Sequence, residues 1–414
     1  LIKQNKILKR NEIILVSLLA LLNFTHILDF MIMMPLGNIL MPKWNLTTSQ
    51  FSIIVSSYSL AAFASSFFAI FFADKFDRKK LLLTAYAGFL IGTLGCAFAN
   101  GFFTMSLARV LTGIFGGLIG AQVLSIIGDV VPYERRGQAM GLLMGGFALA
   151  SVIGVPFSLY LANTYDWYMP FYVVVCVGAL LYPLLLKFIP KVDAHLAHLV
   201  PLKERIHQFF QIFSNNTQVT ALIFSFLMIS GHFIIIPLIN PYMVFNAGVA
   251  QENTPLIYLC GGICSMIAAQ FAGKLADRFG KRQVFVVSAI ISTFFVFAIT
   301  NMTVLPLPWI LIIFSLWFST ATGRTVPGQA MTTQAVNAQT RGSFMSFNSC
   351  VQSLGSGLAT LMSGWITYSD QNFVIHHYNI IGYISIAIIL VSVWVAYKLD
   401  RSIAKNMRVI FTKS

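Results

Sequence analysis

Gly273-Lys274-Leu275-Ala276-Asp277-Arg278-Phe279-Gly280-Lys281-Arg282 has a counterpart 203 residues earlier in Ala73-Asp74-Lys75-Phe76-Asp77-Arg78-Lys79. Each copy is a basic turn led by an Ala-Asp pair, and each follows the second long apolar run of its half of the chain. Arg136-Gly137 and Arg341-Gly342, 205 residues apart, both open a fifth run. Markers that recur at half the chain length identify a duplicated unit. What is duplicated follows from the segments between them.

Of the 414 residues, 57% are hydrophobic and only 10% are Asp, Glu, Lys or Arg, against about 25% charged in water-soluble proteins. Apolar runs fall at about 13–40, 50–72, 81–99, 104–127, 138–162, 168–189, 216–244, 254–275, 283–300, 306–327, 338–366 and 375–397. Runs of roughly 20 residues have the length of a helix that crosses a bilayer. Hydrocarbon cannot satisfy exposed backbone groups, so the spans must be helices or a closed barrel, and long non-alternating runs exclude the barrel. The sequence therefore predicts an all-α integral membrane protein of twelve transmembrane helices. These form two six-helix bundles, residues 1–190 and 216–414, joined by a linker over 191–215. A soluble enzyme and a disordered chain are both excluded.

The net charge of +14 would suit a nucleic-acid partner, but its placement marks a membrane side instead. Counting Arg324 at the end of its span, 25 of the 27 Lys and Arg fall in the tails and in alternate connections; the exceptions are Lys43 and Arg109. By the positive-inside rule both termini lie in the cytoplasm. Lys3 to Arg10 ahead of a long apolar run reads as a retained signal anchor. Within the linker, Pro201 could start an amphipathic helix with Leu202, Ile206, Phe209, Phe210 and Phe213 on one face. Cys96, Cys176, Cys260, Cys264 and Cys350 all lie in apolar runs, where thiols act as packing residues, so no disulfide framework, metal site or cofactor is implied.

The stretch 273–282 resembles the loop signature of the major facilitator superfamily, which sits between spans 2 and 3 and again between 8 and 9. The first copy departs from it, with Ile70 and Asp77 at the glycine positions. Leu107-Ala108-Arg109-Val110-Leu111-Thr112-Gly113 is similar to the family's span-4 signature, a buried Arg with Gly four residues on. Leu28-Asp29-Phe30-Met31-Ile32-Met33-Met34-Pro35 resembles the span-1 motif of its drug:proton antiporter branch. Gly145, Gly154 and Pro156 in span 5 resemble the Gly/Pro signature of exporters, in the Gly-Val-Pro form of sugar and arabinose efflux members. The resemblance implies a secondary transporter working by alternating access, with Asp74, Arg78, Asp277, Arg278, Lys281 and Arg324 gating it and the span-5 motif as hinge.

Asp29 is the carboxylate that lies well within an apolar run. A charge there is costly, so Asp29 and Arg109 should face the bundle interior and one another, serving either proton chemistry or helix-to-helix bonding. His26, three residues before Asp29 and on the same helix face, could extend a proton relay or simply pack. If spans 1, 4, 7 and 10 line the cavity as in the family, Asn23, Gln122, Asn240 and Gln329, with Gln352 from span 11, are the polar substrate-binding candidates. Phe30, Met31, Met34, Tyr58 and Tyr242 would give an apolar wall. These expectations add up to a monomeric exporter of a small organic molecule, a drug-like amphiphile or a sugar, in exchange for protons, in a bacterial inner membrane. The alternative is a proton-coupled uptake symporter of the same fold.

Overall fold

A computed structural model describes residues 8–193, 196, 204, 210–336 and 341–411; the expected linker helix from Pro201 lies largely outside them. The chain runs α1 (Arg10–Ile32), α2 (Gly37–Trp44), α3 (Thr48–Phe72), α4 (Arg78–Ala97), α5 (Phe102–Val130), α6 (Arg136–Leu149), α7 (Val155–Thr164) and α8 (Met169–Phe188). The second half follows as α9 (Asn216–Phe233), α10 (Ile236–Phe245), α11 (Thr254–Phe279), α12 (Lys281–Thr300), α13 (Leu307–Gln334), α14 (Arg341–Ile366) and α15 (Tyr378–Phe411). A two-residue hairpin, β1 (Tyr368–Ser369) with β2 (Ile375–His376), closes the last turn antiparallel.

These helices make twelve crossings. Among the described residues eleven are long and apolar enough to span a membrane; α14 is long enough, at 26 residues, but falls short in hydropathy. The apolar runs at 13–40 and 216–244 are each two helices, broken at Met33–Leu36 and at Ile234–Ile235. Both breaks lie beside prolines, Pro35 and Pro237, which remove a backbone donor and crowd the preceding turn. The outer pieces α2 and α10 pack on each other.

The loop repeat that marks the duplication is built in two ways. Gly280 adopts φ +96°, so α11 turns into α12 through one residue in a conformation that glycine tolerates. Asp77, at the equivalent position, instead caps α4, its carboxylate accepting from the amides of Lys79 at 2.8 Å and Lys80 at 3.4 Å. The departure from the signature is thus a different turn with the same outcome.

In the first half α5 packs on α3 and α4, and α1 on α6 and α8; in the second, α13 packs on α11 and α12, and α9 on α14 and α15. The halves meet along α3 with α14, along α7 and the turn before it with α11, and at α2 with α10. The last contact lies on the face opposite the basic loops. Toward the basic face, α5 and α13 share no comparable contact, nor do α6 and α11.

Candidate functional site

The span-4 glycines explain how the site is assembled. An added Cβ at Gly113 would lie 2.3 Å from the carbonyl oxygen of Tyr58, one at Gly116 2.5 Å from its hydroxyl, and one at Gly117 2.4 Å from Ser65 Oγ. This stripe lets α5 lie against the backbone of α3, the geometry small residues permit between membrane helices. Tyr58 is thereby pressed onto Arg109, whose Cζ lies 4.6 Å from the ring centroid, a cation–π contact.

Arg109 Nη1 donates to Asp29 Oδ2 at 2.7 Å and weakly to the Asp29 carbonyl at 3.4 Å, and both side chains are fully buried. Asp29 Oδ1 and Arg109 Nε and Nη2 have no hydrogen-bond partner, so the pair is closed by one strong contact. A pair taken out of water in this way has surrendered several kcal/mol of solvation per ion, and removing one member strands the other. That makes it a poor device for stability and a good one for switching, because a proton or a competing ligand that releases one partner changes the energy of the whole arrangement. His26 Nε2 bonds to Tyr58 Oη at 2.8 Å, and its ring edge meets Phe89 at 5.6 Å, so His26 reaches Arg109 through the tyrosine.

Phe30 carries this cluster to the other half. Its ring lies 5.1 Å from Tyr58 and 5.9 Å from Phe233 of α9. Met31 Sδ accepts from Ser151 Oγ at 3.8 Å, and Met34 is buried. Asn23 and Gln122 are buried in the first half, Gln329 and Gln352 half-buried in the second. Asn240 joins the halves, Nδ2 donating to the Pro35 carbonyl at 2.5 Å and to Asn38 Oδ1 at 2.8 Å. The Tyr242 hydroxyl donates to the Met302 carbonyl at 2.9 Å, and its ring stacks on Tyr378 at 4.2 Å, within the second half.

Span 5 is interrupted where its motif lies. Ala150–Gly154 form a π-helical turn directly ahead of Pro156; such bulges accommodate a displaced backbone bond and often mark functional sites. Gly154 is tight, an added Cβ falling 2.7 Å from Leu28, whereas Gly145 faces open space and its neighbour Gly146 closes on Ala20. Gly262 of α11, not singled out from the sequence, seats the π turn: its Cβ would be 2.9 Å from Val152 Cα.

The loop charges divide by half. Arg78 pairs with Asp129 at 2.9 Å and more loosely with Asp74 at 3.9 Å, and Arg282 with Asp400 at 2.9 Å, each inside its own half. Arg278 stacks on Phe279 at 5.2 Å. Asp277 and Lys281 form no ion pair among the described residues. Arg324 is 2% exposed within α13. Ties between halves that no motif announced are Thr48 Oγ1 to the Thr367 carbonyl at 2.8 Å and the Asn163–Gln251 side-chain pair at 3.1 Å.

Comparison with known proteins agrees with this architecture. The family model described as Major Facilitator Superfamily matches residues 19–317 and 221–407. The chain is 23% identical over 350 residues to the uncharacterised MFS-type transporter YceJ of Bacillus subtilis (strain 168), covering 83% of this chain and 87% of that protein. It is 22% identical over 243 residues to a probable sugar efflux transporter of Helicobacter pylori (strain J99), covering 58% of this chain and 60% of that one. A bacterial homologue of the human lysosomal transporter Spinster, solved inward-facing and unoccupied, superposes with TM-score 0.75 at 14% identity, over 96% of this chain and 98% of that chain. With a family model spanning both halves and the fold matching throughout, the chain belongs to the Major Facilitator Superfamily, a multi-pass transporter of the cell membrane that moves a small-molecule substrate and is not an enzyme.

Proposed function

We propose that the protein exports a small organic molecule in exchange for protons, with Asp29 as the coupling carboxylate and Arg109 and His26 as its partners. The observation that carries the proposal is the fully buried Asp29–Arg109 pair, made by the carboxylate that lies within the apolar spans. Each state of alternating access offers this pair a different exposure, so proton binding on one side and release on the other follows from the same motion. A proton entering down the membrane potential supplies about 2.3 kcal/mol per 100 mV, enough to raise a substrate gradient more than tenfold. The likeness to a probable sugar efflux transporter supports the outward direction, and the span-5 π turn seated on Gly262 supplies a pivot between the halves.

The basic loops set the sides: both termini are cytoplasmic, and the contact of α2 with α10 closes the external face. The conformation is then inward-facing, and the loop charges at Asp74, Arg78, Asp277, Arg278 and Lys281 meet the opposing half when it reverses. Residues 1–190 and 216–414 move as the two bodies, and the unit is a monomer. The test is reconstitution in liposomes with an imposed pH gradient, scanning dyes, antibiotics and sugars for counterflow. Proton-driven accumulation inside inverted liposomes supports export. Co-movement of substrate with protons would show the symporter instead, and undiminished coupling in Asp29→Asn would remove Asp29 from the mechanism.

A further inference from the structure

The second half contains a guanidinium that nothing among the described residues neutralises. Arg324 lies ten residues from the end of α13, roughly 15 Å along a helix, and is 2% exposed. Its Nε and Nη1 have no hydrogen-bond partner, and it makes no ion pair among the described residues. Nor does the second half offer a carboxylate at that depth. From residue 216 onward its acids are Glu252, Asp277, Asp370 and Asp400. Glu252 precedes α11, Asp277 lies two residues from the end of α11, Asp370 is in the terminal hairpin turn, and Asp400 already holds Arg282 at 2.9 Å. In the first half the equivalent cost is met by Asp29; here it is left open, and an unpaired buried cation is retained against a steep desolvation penalty.

Aromatic rings lie on the same side of α13. Trp317, two turns before Arg324 on the same face of α13, is 2% exposed and lies 5.1 Å from the ring of His232 on α9. One turn beyond Arg324, Gly328 lets α13 close on Met228, so Arg324 lies on the face of α13 that meets α9. His232 is within electrostatic reach of Arg324. The position is also central. Phe233, adjacent to His232, meets Phe30 across the halves at 5.9 Å, and the row of rings continues through Tyr58 to Arg109.

We propose that Arg324 recognises an acidic group on the transported molecule: a carboxylate seated on the guanidinium, with an apolar or aromatic body against Trp317 and His232. Guanidinium is the side chain whose planar donors match a carboxylate in two parallel bonds. The inference rests on the transporter reading and narrows the drug-like amphiphile to an acid, but it does not depend on proton coupling.

The test is thermal unfolding of the purified full chain in detergent with benzoate, indole-3-acetate and 4-phenylbutyrate, each against its amide. At least one carboxylate should raise the unfolding midpoint while its amide does not, and Arg324→Gln should weaken that binding about tenfold or more. Arg324→Met, which removes the stranded charge, should unfold no earlier than the wild type without ligand, showing that loss of binding is not loss of fold. Asp29→Asn should keep the preference for acid over amide; undiminished antiport in that variant would sink the coupling scheme alone, so the two failures are read separately. Equal effects of acids and amides, no effect of any acid, or an unchanged acid effect in Arg324→Gln would each overturn the inference.

Discussion

Gly113 and Tyr58 touch through backbone: the Cα of the glycine leaves no room for a side chain, because a Cβ there would lie 2.3 Å from the tyrosine carbonyl oxygen and 2.9 Å from its Cα. Neither atom can swing aside as a side chain would. Gly113→Ala should therefore separate α5 from α3, at a cost of about 1–3 kcal/mol, and lift Tyr58 off Arg109. The expected outcome is a lower unfolding midpoint with transport reduced. Gly145→Ala, where the added methyl meets open space, should leave the midpoint unchanged.

The buried ion pair should behave non-additively. Asp29→Asn or Arg109→Gln alone leaves one charge stranded and should destabilise by about 3–5 kcal/mol. The double variant removes both charges and should recover a large part of that loss while remaining inactive in proton-driven exchange. Denaturation of the four proteins in one detergent checks it; additive losses would mean that the two side chains do not act as a pair.

Asn240 ties α10 to α2 by donating to Pro35 and Asn38 of the other half, the contact that closes the external face in the proposed scheme. Asn240→Leu deletes both bonds, each worth about 0.5–1.5 kcal/mol net, and should shift the population toward the externally open state by roughly tenfold. Leu40, fully buried in α2, reports this. Thiol labelling of Leu40→Cys should quicken when Asn240→Leu is added, and an unchanged rate would show that the tie does not bias the carrier.

Asp370 organises the turn between β1 and β2. Its Oδ1 accepts from the amides of Asn372 at 2.9 Å and Val374 at 3.0 Å, and its Oδ2 lies 3.4 Å from His376. Partial desolvation pushes its proton affinity up, but the Val374, His376 and Asn372 bonds outweigh it and hold the carboxyl below its ordinary 3.8. A depressed value means that the turn gains stability above the unfolded value and loses it as pH falls through the folded one. Amide exchange at Asn372 and Val374, corrected for intrinsic rates, should be protected at neutral pH and lose protection only as pH falls through the depressed value, below the ordinary 3.8. Asp370→Ala, which removes the acceptor, should lose it at all pH values.

The architecture was readable because hydrocarbon imposes it: a run such as 168–189 has no alternative to helix, and α8 occupies Met169–Phe188. Asp29 and Arg109 were readable as a pair for a related reason, since a charge at that depth needs a partner and few candidates exist. The π turn at Ala150–Gly154 was not, because Pro156 predicts a disturbed helix without saying whether it kinks, breaks or bulges; packing against Gly262 selects the bulge. Asn240 read as a cavity residue because polarity in a span signals function, yet which face it presents depends on the break beside Pro237. The tie from Thr48 to Thr367 links positions 319 residues apart, a register no local pattern encodes.

The modest hydropathy of α14 bears on how the molecule is made. Arg341–Ile366 carries Asn348, Gln352 and a series of serines, and is the crossing whose hydropathy falls short for partition into lipid alone. Its settled place is along α3, where Gly357 admits Leu60 and Gly364 admits Ser52. A segment that lipid accepts reluctantly waits for a protein surface to receive it, and α3 is synthesised almost 300 residues earlier. The expected biogenesis is therefore ordered, with the amino-terminal half a template in the bilayer: an amino-terminal truncation that removes α3 should reduce insertion of the penultimate crossing.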